Sequence, residues 1–237
     1  MPTAAAIIIG DEILSGKFED ENGPWLVHRC RELGIDLKRI SIISDDVTTI
    51  GDEVRRASAA YDYVFTTGGI GPTHDDLTLE SIAYAFSVKL FEHPELARLI
   101  RGRLGDATNS DALRMAMVPE GSELWQTEPK RFPVLVCRNV FIFPGVPKYL
   151  QAKFNDIAHR LGGEPKASRR LVTEQTESEI AATLRQAAET WPVISIGSYP
   201  RFETDPHTVI ITMDGRSEGA LDECAAWLEA HLKARQS

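Results

Sequence analysis

The sequence predicts an α/β protein: a three-layer α/β/α arrangement on a mainly parallel sheet, followed by a small C-terminal α+β subdomain. Three observations predict it. Short apolar runs alternate with helix-length amphipathic segments, and three such rounds fall within about ninety residues, the spacing of βαβ units. The first run, "TAAAIIIG" at 3–10, is almost wholly apolar, which suits a strand covered on both faces. At 162–168 the stretch "GGEPKAS" has linker composition, and beyond it the pattern changes. The expected units are therefore 1–162 and 168–237.

The elements follow in order. After a polar loop, Asn22 and Gly23 precede Pro24, an N-cap region followed by the proline favoured in a first helical turn. That helix runs through "PWLVHRCREL" to Gly34, a natural C′ residue. "IDLKRISIIS" (35–44) is a second strand and "TIGDEVRRASAAY" (49–61) a second helix. "DYVFTT" (62–67) is the third strand and "LTLESIAYAF" (77–86) the third helix. Residues 94–118 read as helical but irregular, broken at "GDATNSD". In "VLVCRNVFIF" (134–143), Asn139 either turns a hairpin or interrupts one long strand. "FPGVPKYLQAKFNDIAHRL" then passes through a Gly/Pro turn into a helix. The tail reads strand 169–174, helix 177–190, strands 193–199 and 207–213, and helix 217–233; Thr176 and Glu179 match an S/T-x-x-E capping box.

Composition narrows the function. At 237 residues, 43% of them hydrophobic, the chain has enough material for one full core and a small second one. With 35 acidic against 26 basic side chains the net charge is −9, which argues against nucleic acid as a partner. Lys130, Arg131, Arg138 and the Arg169–Arg170 pair read as solvated surface. Cys30, Cys137 and Cys224 are scattered and form no Cys-x-x-Cys pair, the pattern of free buried thiols in a reducing compartment. The N-terminal apolar run is too short for a membrane span and no positive segment precedes it. A soluble cytoplasmic protein without membrane partners is expected.

The chemistry should lie at the strand ends, since parallel strands with right-handed crossovers deliver their C-termini to one edge. Unusual loops follow each strand: "GDEILSG" (10–16), "SDD" (44–46), "TGGIGPTHDD" (67–76) and "FPGVP" (143–147). Asp11, Glu12, Asp45, Asp46, Asp75 and Asp76 would then crowd one rim. Glycine lets backbone approach a ligand, and free amides leading into a helix make an anion site. Gly68, Gly69 and Gly71 with Thr67 and Thr73 are thus candidates to cradle a phosphate or pyrophosphate. Carboxylates beside that anion require a divalent cation between them, and Mg2+ prefers one or two carboxylates plus phosphate oxygens. The competing reading gives the loop a plain turn, with Asp75 or Asp76 as an N-cap. Neither a P-loop nor a dinucleotide fingerprint is present. His74 reads as a bystander and "IGSYP" (196–200) as a hairpin shoulder.

"TTGGIGPTHDDLT" (66–78), with "GDEILSG" upstream and "FPGVP" downstream, resembles the molybdopterin-binding fold. That fold is shared by molybdenum-cofactor biosynthesis proteins of the MoaB and Mog type and by the N-terminal part of competence/damage-inducible protein A (CinA). "FPVLVCRNVFIFPGVP" and "ISIGSYPRF" resemble the molybdopterin-binding-like domain fused to eukaryotic FAD synthase, a likeness extending over nearly the whole chain. One departure is "PKRFPVL" (129–135), where CinA proteins carry Gly-Thr-Ala-Pro-Gly. Neither a nicotinamide-mononucleotide deamidase domain nor an FAD-synthesising domain is expected in these residues.

The resemblance implies Asp45 and Asp76 as catalytic carboxylates and metal ligands. It implies a substrate wall of Gly10, Asp11, Glu12, Thr67, Gly68, Gly69, Gly71, Pro72, Thr73, Pro144, Gly145 and Pro147. Three activities stay open: Mg2+-dependent hydrolysis of a dinucleotide diphosphate such as ADP-ribose or FAD, with K+ as an open question; molybdopterin binding or adenylyl transfer in cofactor synthesis; and ligand binding without catalysis. The partner is a small nucleotide or pterin, and a homo-oligomer is expected.

Overall fold

The computed structural model describes residues 1–125, 132–201 and 208–232, and it divides into two compact units, Met1–Gly163 and Glu164–Ser237. In the first, β1 (Thr3–Ile9) leads to a short helix α1 (Asp11–Leu14), α2 (Asn22–Glu32), β2 (Asp36–Ile43), α3 (Val47–Ala60), β3 (Tyr63–Thr67) and α4 (Thr78–Phe86). Then come β4 (Leu90–Glu92), α5 (Pro94–Leu104), α6 (Ser110–Arg114), β5 (Met117–Pro119), β6 (Ser122–Trp125), β7 (Val134–Cys137), β8 (Val140–Phe143) and α7 (Pro147–Ile157). The second unit comprises β9 (Ala167–Thr173), α8 (Glu177–Thr190), β10 (Ser195–Arg201), β11 (Thr208–Gly215) and α9 (Glu218–His231).

The main sheet has the order β2-β1-β3-β8-β7-β6. β1 pairs parallel with β2 and β3, and β3 parallel with β8, whereas β7 is antiparallel to both neighbours. The mainly parallel sheet expected from the sequence is therefore present, with four C-terminal strand ends at one edge. β1 is central, and Ala4 through Ile9 are all buried, as its unbroken apolar run requires. One face of the sheet is covered by α2 and α7, through Leu26, Cys30, Leu150 and Phe154 over Phe65, Phe141 and Phe143. Ile50, Val54, Ile82 and Leu96 of α3, α4 and α5 cover the other.

Asn139 does turn a hairpin, between β7 and β8. Arg138 takes the left-handed conformation with φ 55°, and the Asn139 carboxamide donates to the Ser58 and Tyr61 carbonyls at 3.0 and 2.8 Å. A residue suited to turns is thus also a clip onto the end of α3. The irregular helix expected over 94–118 resolves into α5, α6 and β5, and β5 pairs antiparallel with β4. Three-residue strands carry too little alternation to be visible as a period.

In the second unit β9 and β10 flank β11, antiparallel throughout. Ile180 and Ala187 of α8 and Leu221, Cys224 and Leu228 of α9 bury Val209, Ile211 and Met213. The capping box at Thr176 and Glu179 forms as its sequence predicts. Lys130, Arg131 and the first residue expected of the 207–213 strand lie outside the described residues, as does the last of the 217–233 helix. The three cysteines are free and buried, and burial pushes the Cys30 thiol up to about 12. No helix among the described residues is long and apolar enough to cross a membrane.

Candidate functional site

The loops after β1, β2, β3 and β8 meet at the C-terminal edge of the sheet. The strand order reverses between β1 and β3, the usual ligand position in open α/β sheets. Asp45 follows β2 and Asp76 follows β3, on either side of the end of β1. Two strand spacings of about 4.8 Å separate those strands, so both loops lie at one part of that edge.

Asp45 and Asp46 are adjacent and behave in opposite ways. Asp46 is the N-cap of α3, accepting from the Thr49 amide at 2.8 Å and from the hydroxyls of Thr48 and Thr49. Those hydrogen bonds, led by the Thr48 hydroxyl, hold its carboxyl down at about 2. Folding therefore gains from Asp46 above the ordinary 3.8 and loses that gain as pH falls toward about 2. Asp46→Ala is expected to lower the melting temperature at neutral pH, with the deficit shrinking as pH drops through that window in a thermal-melt series.

Asp45 instead turns toward β1, where its Oδ2 accepts from the Asp11 amide at 2.9 Å. Partial burial pushes its carboxyl up, and the charges of Asp11, Glu12 and Asp75 push it further, against the lowering effect of the Asp11 amide. Among the described residues no lysine or arginine pairs with Asp11, Glu12 or Asp45. The rim is an uncompensated acidic cluster. No three side chains of the metal-binding types converge there among the described residues, so any cation would draw on few protein oxygens plus water or substrate, the habit of Mg2+.

The glycine loop is organised by its own aspartate. Asp76 Oδ1 accepts from the Gly71 amide at 2.6 Å, and Oδ2 from the Thr73 amide at 2.7 Å and the Thr73 hydroxyl. The N-cap of α4 is Leu77, with no side-chain cap bond, so neither Asp75 nor Asp76 takes the capping role weighed from the sequence. A Cβ on Gly71 would lie 2.7 Å from the Asp76 carboxylate, one on Gly69 2.5 Å from Thr78 Oγ1, and one on Gly68 2.1 Å from the Ile9 carbonyl. Much of the room these glycines make is taken by the protein itself.

That corrects part of the cradle. The Gly68 amide donates to Phe143 O at 3.2 Å and the Gly71 amide to Asp76, so neither is free for a phosphate. Thr67 is buried, its hydroxyl donating to Pro144 O at 3.0 Å, so its side chain is no ligand contact. The amides of Gly69 and Ile70 make no hydrogen bond to the described residues, and neither do those of His74 and Leu77. Gly10 is buried and donates to Ile43 O, while Asp11 and Glu12 are exposed. Pro72 and Thr73 are exposed in the loop, and Pro144, Gly145 and Pro147 form the turn into α7. His74 is almost fully exposed, 3.9 Å from Asp75, in keeping with a bystander. Of the "PKRFPVL" departure, residues 129–131 lie outside the described residues. The described remainder is anchored by Lys153, which donates to the Phe132 and Pro133 carbonyls at 2.9 and 2.6 Å.

Sequence reasoning missed Asp20 here and placed Asn22 in the N-cap region, whereas the N-cap of α2 is Glu21 and Asn22 is the first residue of the helix. Asp20 accepts from the amides of Asn22 and Gly23, starting α2 two residues before the proline. Asn22 reaches across to Thr67 and Gly145. An aspartate two residues before the helix start was the available signal for the first; nothing local announces the second.

This sheet and its edge loops define a class, and the chain belongs to it: residues 5–163 match the family model described as probable molybdopterin binding domain. Residues 165–237 match a second model, the middle domain of FAD synthase. A protein of Archaeoglobus fulgidus is 33% identical over 231 residues, covering 97% of this chain and 98% of its own. A probable FAD synthase of Caenorhabditis elegans is 33% identical over 248 residues, covering 93% of this chain. The chain spans only 48% of that protein's length. The crystal structure of a CinA protein of unknown function from Thermoplasma acidophilum superposes with a TM-score of 0.62 at 29% identity, covering 67% of this chain and 97% of that one.

Proposed function

We propose that the protein hydrolyses the diphosphate bond of a nucleotide such as ADP-ribose or FAD in a Mg2+-dependent reaction. The observation that carries this reading is Asp45. It is a partly buried carboxylate pressed by three neighbouring carboxylates, one loop away from the unpartnered amides of Gly69 and Ile70. An acidic cluster beside anion-binding donors suits a cation held between protein and polyphosphate. The likeness to FAD synthase, whose middle domain the tail matches, supports a nucleotide rather than another anion.

The residues fit a hard cation. Asp45 has one oxygen uncommitted, and Asp76 has spent three of about four lone-pair sites on its loop. Asp45 would be the main ligand and Asp76 the second, with Asp76 also holding the loop that presents the Gly69 amide. When bound, Mg2+ would supply charge neutralisation and Lewis acidity at the phosphate. The chain's own part is to hold the diphosphate on the Gly69 and Ile70 amides and, through Asp45 and Asp76, to hold the cation and position the attacking water.

Chromatography of ADP-ribose and FAD incubated with the protein and Mg2+ tests the proposal, with EDTA and K+ as parallel arms. Release of AMP that EDTA stops is expected. Bound but intact nucleotide in every arm would refute hydrolysis and leave a binding domain.

A further inference from the structure

We propose that Asn22 is a positioning residue, which ties the end of β3 to the turn before α7 and so aims that turn at the nucleotide. The proposal rests on the site described above. Asn22 is only 6% exposed, yet its single carboxamide joins segments far apart in the chain. Its Nδ2 donates to Thr67 Oγ1 at 3.0 Å and to the Gly145 carbonyl at 2.7 Å. Thr67 in turn donates to the Pro144 carbonyl at 3.0 Å. Two consecutive carbonyls of the turn are therefore held from the same point.

The orientation of this carboxamide is not arbitrary. Reversing it would set Oδ1 against the Gly145 carbonyl oxygen, two acceptors face to face. In the orientation adopted, Oδ1 is buried and has no hydrogen-bond partner. A side chain selected for stability would avoid an orphaned buried acceptor, since leaving one unmade costs about twice what a made bond returns. An apolar residue of similar size would lose two bonds and relieve one orphan, a nearly even exchange for the fold. What it could not do is fix the turn.

The turn matters because of where it lies. A Cβ on Gly145 would be 3.3 Å from Gly68 Cα, so the turn rests against the glycine loop one residue from the open Gly69 amide. The helices starting at α2 and α3 have their first amides capped by Asp20 and Asp46. By contrast α7 has no side-chain cap, and the amides of Gly145, Val146 and Lys148 have no partner among the described residues. A diphosphate bridging the Gly69 loop and this turn needs both sets of donors at one spacing, and Asn22 sets that spacing.

The test uses the full chain carrying Asn22→Leu or the isosteric Asn22→Asp. Melting temperature, Kd for ADP-ribose with Mg2+, and KM and kcat for its hydrolysis are each compared with wild type. For Asn22→Leu we expect a melting temperature close to wild type, a rise of roughly tenfold in Kd and KM, and little change in kcat, the signature of lost uniform binding. Asn22→Asp sets a carboxylate against the Gly145 carbonyl and is expected to weaken binding at least as much. Wild-type Kd and KM in both variants would overturn the role of Asn22 while leaving hydrolysis standing. Wild-type binding without turnover would remove hydrolysis, and the Kd comparison would still decide Asn22. Failure of both variants to fold, or no binding by wild type, would overturn the inference too.

Discussion

Gly68→Ala is expected to leave little folded protein, with a loss of about 4 kcal/mol or more in urea denaturation. Gly68 sits at φ 102°, outside the range of side-chain-bearing residues, and its added Cβ would stand 2.1 Å from the Ile9 carbonyl. That atom is backbone of the buried central strand and has no route of escape. Gly145 closes the opposite side, so the strain cannot be shed by shifting β3 outward. Gly71→Ala provides the contrast, because its Cβ would meet the Asp76 carboxylate, a side chain with some freedom to move. Equal stabilities for the two variants would show that the ends of β1, β3 and β8 are less tightly joined than described.

Asp45→Asn is expected to abolish nearly all turnover, by about 10²-fold or more, and at neutral pH to leave the fold as stable as wild type or more so. The carboxyl of Asp45 is raised above its ordinary value by burial and by Asp11, Glu12 and Asp75. The folded state therefore binds its proton more tightly than the unfolded state does. Its ionised form destabilises the fold above that raised value, and the penalty fades as pH falls through it. Replacement by a neutral isostere removes the penalty, so the stability advantage of the variant should shrink on acidification. Added Mg2+ should raise the melting temperature of wild type but not of Asp45→Asn. Equal Mg2+ protection of both proteins would place the cation elsewhere.

The arrangement of strands and helices could be read from the chain because it is written in short-range periods. The apolar run of β1, the alternation through α2 and α3, and the capping box at Thr176 are each complete within a few residues. The same logic places six carboxylates at one rim, since it needs only the strand ends and the handedness of the crossovers. Short elements escaped it: β4 and β5 have three residues each and, among the described residues, pair only with one another. The glycine loop was half understood. Its need for bare backbone was visible, whereas the Ile9 carbonyl that imposes it at Gly68 belongs to another strand.

What the amino-acid order established alone is which residues stand at the sheet edge. Which of them face each other was settled by the order β2-β1-β3-β8. That order brings Asp45 to the Asp11 amide across 34 positions and Asn22 to Gly145 across 123. It also turns Asp76 into the keeper of its own loop. The physical reason is one of range: helix and strand preferences act between neighbours along the chain, while a hydrogen bond a few ångströms long can be made only after the intervening chain has been folded away.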